Sequence, residues 1–104
     1  MYTSLILYRN ELKNKNVPKY KIIGIVTELI YSKVIFNKNK EIFNFIKDVF
    51  GIELKDYILK SRTMIVAKVS RVIINSENVI ECKKELYEFI NLQIEILKKR
   101  RYKR

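Results

Sequence analysis

The chain has 104 residues, no histidine and one cysteine, and it carries 22 basic side chains against 11 acidic, for a net charge of +11. Those counts exclude histidine acid–base catalysis, a His or multi-Cys zinc site and an internal disulfide. With only Gly24 and Gly51, a Gly-rich phosphate loop is excluded too. One domain is expected at this length, and a basic excess this large favours a polyanionic partner.

Met1 to Tyr8 is apolar and β-prone, and reads as a strand or a short arm. Asn10 to Lys19 is a polar loop closed by Pro18, which suits the first turn of a helix. From Lys19 to Ser32, Ile22, Ile23, Val26, Leu29 and Ile30 recur at helical spacing. Lys33 to Phe36 is a short β-branched segment ended by Asn37-Lys38-Asn39. Asn39 is expected to cap a second helix running from Lys40 to about Phe50, with Glu41 in its first turn and Gly51 as its stop. A third, short helix fits Glu53 to Arg62, with Leu54, Tyr57 and Ile58 facing inward.

Met64 to Ile74 satisfies two periods. As a strand it is dense in Val and Ile and leads to a polar tip at Asn75–Asn78, with Val79-Ile80 beyond. As a helix it places Ile65, Val69, Val72 and Ile73 on one face and Lys68 and Arg71 on another. The strand reading is adopted here, because turn residues and a second β-rich arm follow directly. The last element is a long helix, proper from about Lys83 to Leu97. Its stripe Val79, Cys82, Leu86, Ile90, Ile94, Leu97 steps by three or four residues. Cys82 is expected as a small buried hydrophobe.

The expected fold class is therefore α+β: a winged helix-turn-helix with a small antiparallel sheet and a long C-terminal helix. Residues 1–97 form the single domain and residues 98–104 a basic tail. The helices either side of Gly51 would form the helix-turn-helix, and the hairpin the wing.

The charge is distributed unevenly. From Tyr57 to Ser76 the chain has Lys60, Arg62, Lys68 and Arg71 and no acid. Lysine-rich coding raises Lys everywhere but does not clear Asp and Glu from one stretch. Lys and Arg neutralise phosphates with counterion release, and Arg also reads guanine or enters a narrow minor groove. Arg62, at the end of the expected recognition helix, and Arg71, near the wing, are the candidates for base or groove contact. Lys38, Lys40, Lys55, Lys60 and Lys68 are candidates for phosphate clamps, and Ser61, Thr63, Ser70, Asn75 and Ser76 for phosphate hydrogen bonds. Tyr57 can stack on bases but also fits the apolar stripe, and core is the preferred reading. Glu41, Asp48, Glu53 and Asp56 show no Mg²⁺ spacing and read as helix-surface ion pairs. No catalytic activity, metal or cofactor is expected.

The block from Asn39 to Gly51 (NKEIFNFIKDVFG), the run Lys60-Ser61-Arg62-Thr63 and the segment through Arg71-Val72-Ile73 carry a family resemblance. With the long final helix after the hairpin, they resemble the TcpK-like winged helix-turn-helix relaxosome accessory proteins of clostridial conjugative plasmids. The resemblance rests on overall pattern over most of the chain, with no short signature. It implies a non-catalytic homodimer that binds double-stranded DNA repeats at a plasmid origin of transfer and helps position a relaxase. Lys40, Arg62, Lys68 and Arg71 would carry over as DNA contacts.

The residues leave rivals open. A transcriptional regulator or plasmid-partition protein would use the same physics. A protein–protein adaptor would turn its basic surface to an acidic partner, and an RNA-binding module lacks the paired aromatics of an RNP motif. The apolar face of the last helix packs either on a second copy, the preferred reading, or on its own domain. With no signal peptide and no apolar run near the ~20 residues that span a bilayer, a cytoplasmic location is expected.

Overall fold

A computed structural model describes residues 1–77 and 79–102, apart from the side chains of Arg101 and Tyr102. The described residues form six helices: α1 (Tyr2–Leu12), α2 (Lys19–Tyr31), α3 (Asn39–Phe50), α4 (Asp56–Leu59), α5 (Arg62–Asn75) and α6 (Val79–Tyr102). They contain no strand, so the α+β winged helix-turn-helix expected from the sequence is overturned. There is neither a sheet nor a wing among them.

Three segments account for the difference. The residues read as the first hairpin arm are α5. The Ser61 side chain accepts a hydrogen bond from the Met64 backbone N–H at 3.3 Å, which caps the helix. Ile65, Val69 and Ile73, four residues apart, are all buried, and that spacing is one face of a helix. The second arm is the start of α6, and Ser76 and Glu77 lie between the two helices. Asn78, at the expected hairpin tip, lies outside the described residues. The N-terminal strand or arm is α1, where Leu5 and Leu12, seven residues apart, are both buried.

Where caps and periodicity agreed, the expectation holds. α2 starts just after Pro18, and α3 ends at Gly51, whose φ of 69° is the left-handed conformation that ends many helices. The Gly51 N–H donates to the Lys47 carbonyl at 2.9 Å. The β-branched segment after α2 is a turn, and the helix expected over residues 53–62 shrinks to the four residues of α4.

α6 packs on α1 and α3, and α5 packs on α2 and α4. Leu86, Ile90 and Ile94 of α6 are buried in the chain's own core. The stripe on which a dimer was expected is thus occupied within the monomer. Phe36, Phe45 and Phe89 cluster where the turn after α2, α3 and α6 meet, with ring centroids 4.4 to 5.8 Å apart, the range of favourable aromatic contacts. The molecule measures 42 × 34 × 18 Å. Its thin dimension is less than two helix diameters of ~10–12 Å each, so a helix that buries one face leaves the other at the surface. No described helix is long and apolar enough to cross a membrane.

Candidate nucleic-acid interface

The candidate interface is built on α4, the two-residue turn Lys60-Ser61, and α5. Because Ile65, Val69 and Ile73 point into the core, Met64, Ala67, Lys68 and Arg71 are carried on the outside of α5, and all four are exposed. Lys68 and Arg71, three residues apart, share a face. They line one shallow depression with Met64, Ala67, Tyr57 and Ile58. Neither has an ion-pair partner. The charge of α5 is entirely positive, and it packs chiefly on α2 and α4.

Tyr57 differs from its expected place in the core: it is 58 % exposed and stands beside the two cations. Residues 52–55 form no helix ahead of α4, and Leu54 and Ile58 fill the inward positions. The shortened helix therefore turns Tyr57 outward. Tyr31, 48 % exposed, donates from its hydroxyl to Thr63 Oγ1 at 3.1 Å, so the end of α2 reaches the start of α5. Met64 and Tyr31 were not singled out as site residues. Reading residues 64–74 as a helix would have found Met64, since it lies opposite the Ile65/Val69/Ile73 face.

Arg62 is not at this surface as expected. Its Nε donates to Asn39 Oδ1 at 2.9 Å, its Nη1 to the Ile30 and Ser32 carbonyls at 2.7 and 3.3 Å, and its Nη2 to the Phe36 carbonyl at 2.5 Å. All three guanidinium nitrogens are engaged internally. The acceptors include carbonyls at the end of α2 that the helix itself leaves unpaired. Asn39, expected as a helix cap, instead lies within α3, where Lys38 takes the cap position. Its Nδ2 donates to the Leu59 carbonyl at 2.7 Å. Arg62 and Asn39 together brace the start of α5 against α2, the following turn and α4.

That brace also positions the lysines. The Asn39–Leu59 bond sets the start of α3, with exposed Lys38 and Lys40, beside the end of α4, with exposed Lys60. The Lys38 N–H donates to Glu41 Oε1 at 2.8 Å, half of a capping box. Lys55 is exposed at the opposite end of α4. Asn75 is exposed at the end of α5, whereas Ser70 is half-buried on its flank. The Ile74 carbonyl at that end accepts from Lys19 Nζ at 2.8 Å, which satisfies one orphan carbonyl of α5.

Among the described residues no three His, Cys, Asp or Glu side chains converge. The Cys82 thiol is half-buried, and burial, with a smaller contribution from Glu81, pushes its pKa above the ordinary thiol value. The thiol is therefore protonated at neutral pH, and thiols react as thiolates. Alkylation of Cys82 at neutral pH is expected to be slower in the folded protein than in urea. Equal rates would contradict this placement. No family model matches the chain, and neither a curated protein nor a solved structure is similar to it.

Proposed function

We propose that this protein binds double-stranded DNA through α5 and the Lys60-Ser61 turn, as a non-catalytic nucleic-acid-binding domain. The observation that carries the reading is the outward face of α5, where unpaired Lys68 and Arg71 flank small and apolar side chains. A short helix, a tight turn and a longer exposed helix resemble the unit in which the second helix enters the major groove. That groove, about 12 Å wide, admits one helix. Lys68, Lys60 and Lys55 would contact phosphates, and Arg71 would reach base edges. Lys38 and Lys40 extend the cationic surface past the end of α4. Arg62 acts through the brace and touches no DNA.

The narrower role at a plasmid origin of transfer, with a relaxase as partner, rests on the resemblance to winged-helix proteins, whose sheet and wing the described residues lack. The proposal is therefore the coarser one, and the transfer, regulatory and partition roles are its subdivisions. A second reading comes from Tyr57. An exposed aromatic among cations is also how single-stranded nucleic acid is held, by stacking.

The test is titration of the protein against one random-sequence duplex and its separated strands over a series of salt concentrations, together with selection from a random duplex pool. Duplex-preferring binding with a steep salt slope, and an enriched motif, is the expected result. Preference for the single strands would favour stacking on Tyr57. Failure to bind either would leave the adaptor reading and refute the proposal.

A further inference from the structure

The depression on the outer face of α5 has a bias that phosphate contact leaves unused. Met64, Ala67, Lys68 and Arg71 line it with Tyr57 and Ile58. Met64 is 43 % exposed, and Ala67, also exposed, adds no bulk beyond its Cβ. Neither side chain gains anything from a phosphate. The polar groups of the depression are the Lys68 ammonium, the Arg71 guanidinium and the Tyr57 hydroxyl, and no carboxylate or amide side chain lines it. An ammonium and a guanidinium donate hydrogen bonds and accept none. The carboxylate of α4, Asp56, and the amide of α5, Asn75, stand outside it, at the start of α4 and one turn beyond Arg71. The Thr63 hydroxyl already accepts from Tyr31.

In the major groove each base shows a different edge. Adenine presents an amino donor beside its N7 acceptor, and cytosine an amino donor, and two neighbouring cations oppose a further donor. Guanine presents two acceptors, which suit Arg71 and leave Met64 and Ala67 without a partner. Thymine presents an acceptor, O4, beside an apolar 5-methyl group. It alone matches both halves of the depression, the donors and the apolar side chains. Met64 and Arg71 stand seven residues apart, which is ~10.5 Å along a helix, or about three base pairs at ~3.4 Å each.

We infer that α5 reads thymine in the major groove through its methyl group. Met64 and Ala67 receive the methyl, Arg71 donates to O4, and Lys68 holds a flanking phosphate. The inference rests on the duplex-binding reading above. It adds the base that the surface prefers and the side chains that set the preference.

The test compares two duplexes near physiological salt: an alternating A·T duplex, and the same duplex with uracil in place of every thymine. Uracil keeps O4 and the base pairing and lacks only the methyl group. The full chain is expected to bind the thymine duplex at least ~4-fold more tightly, the effect of burying about one methyl group. Met64→Ser with Ala67→Ser is expected to remove that preference, because no apolar side chain of α5 then meets the methyl. Lys68→Ala is expected to weaken binding to both duplexes by the same factor and to keep the preference, since a phosphate contact is blind to the base. Circular dichroism checks that each variant is folded. Equal affinity of the wild type for the two duplexes would overturn the inference and leave duplex binding standing. A preference that survives in the folded Ser variant would overturn it too, and would assign the preference to groove shape. Binding to neither duplex would overturn the duplex-binding reading and the inference with it.

Discussion

Arg62→Ala is expected to destabilise the protein by about 3 kcal/mol. A hydrogen bond from a charged donor contributes about 1.5–3 kcal/mol, and the Arg62 guanidinium makes four. They share one half-buried group, so the loss is nearer one strong bond than four. It is still large against a typical total stability of ~5–15 kcal/mol. The substitution strands the carbonyls of Ile30 and Phe36, leaves the Ser32 carbonyl only the Phe36 N–H, and frees Asn39 from one of its two partners. Arg62→Lys separates shape from charge. A single ammonium has three donors on one atom and cannot reach four acceptors arranged around a planar fork, so Lys is expected to recover less than half of the loss. Urea unfolding checks both variants. A Lys variant with the wild-type midpoint would show that charge alone matters and would sink the brace.

The second large effect is expected from Lys68→Ala with Arg71→Ala. Both side chains are exposed and unpaired, so thermal stability should be unchanged. If both contact phosphate or lie in the groove, their removal takes about 2 from the slope of log affinity against log salt, at ~0.9 per phosphate neutralised. Near physiological salt, duplex affinity should fall at least ~10-fold. The control is Lys13→Ala with Lys84→Ala. Those lysines are also exposed, just past the end of α1 and on α6, and line a different depression from Lys68 and Arg71. The control pair should leave affinity nearly unchanged. Equal losses for the two pairs would mean that net charge binds DNA without a site, and α5 would lose its assignment.

The parts of the fold legible in the sequence are those where one signal had no competitor. α2 and α3 show a helical period that no strand could share, and Gly51 occupies a left-handed position that suits glycine. α6 is long enough for its stripe to be unambiguous, and it runs on to Tyr102. Residues 98–102 of the expected basic tail therefore continue the helix, while Lys103 and Arg104 lie outside the described residues. α1 and α5 were misread because short runs dense in Leu, Ile and Val fit both periods. In α5 the choice falls to the helix, which buries Ile65, Val69 and Ile73 against its neighbours, chiefly α2.

The candidate site divides in the same way. The acid-free stretch and its excess of cations are properties of composition, and they survive any folding of the chain. Which cations face outward is not such a property. Arg62 and Arg71 look equivalent as letters in one basic run, yet one closes on four internal acceptors and the other points to water. Tyr57 fits an apolar stripe on paper and stands at the surface in the fold.

By itself, then, the sequence determined the charge, the absence of histidine and of the glycine-rich loops that enzymes use, and the three helices whose periodicity is unambiguous. Only the tertiary structure decided that α5 is a helix, that Arg62 is a brace and that α6 keeps its apolar stripe for its own core. Each of those depends on residues 20 or more positions away, such as Ile30 and Asn39 for Arg62. Local propensity carries no information about which distant carbonyl will be left without a donor, or which helix will offer a surface to cover.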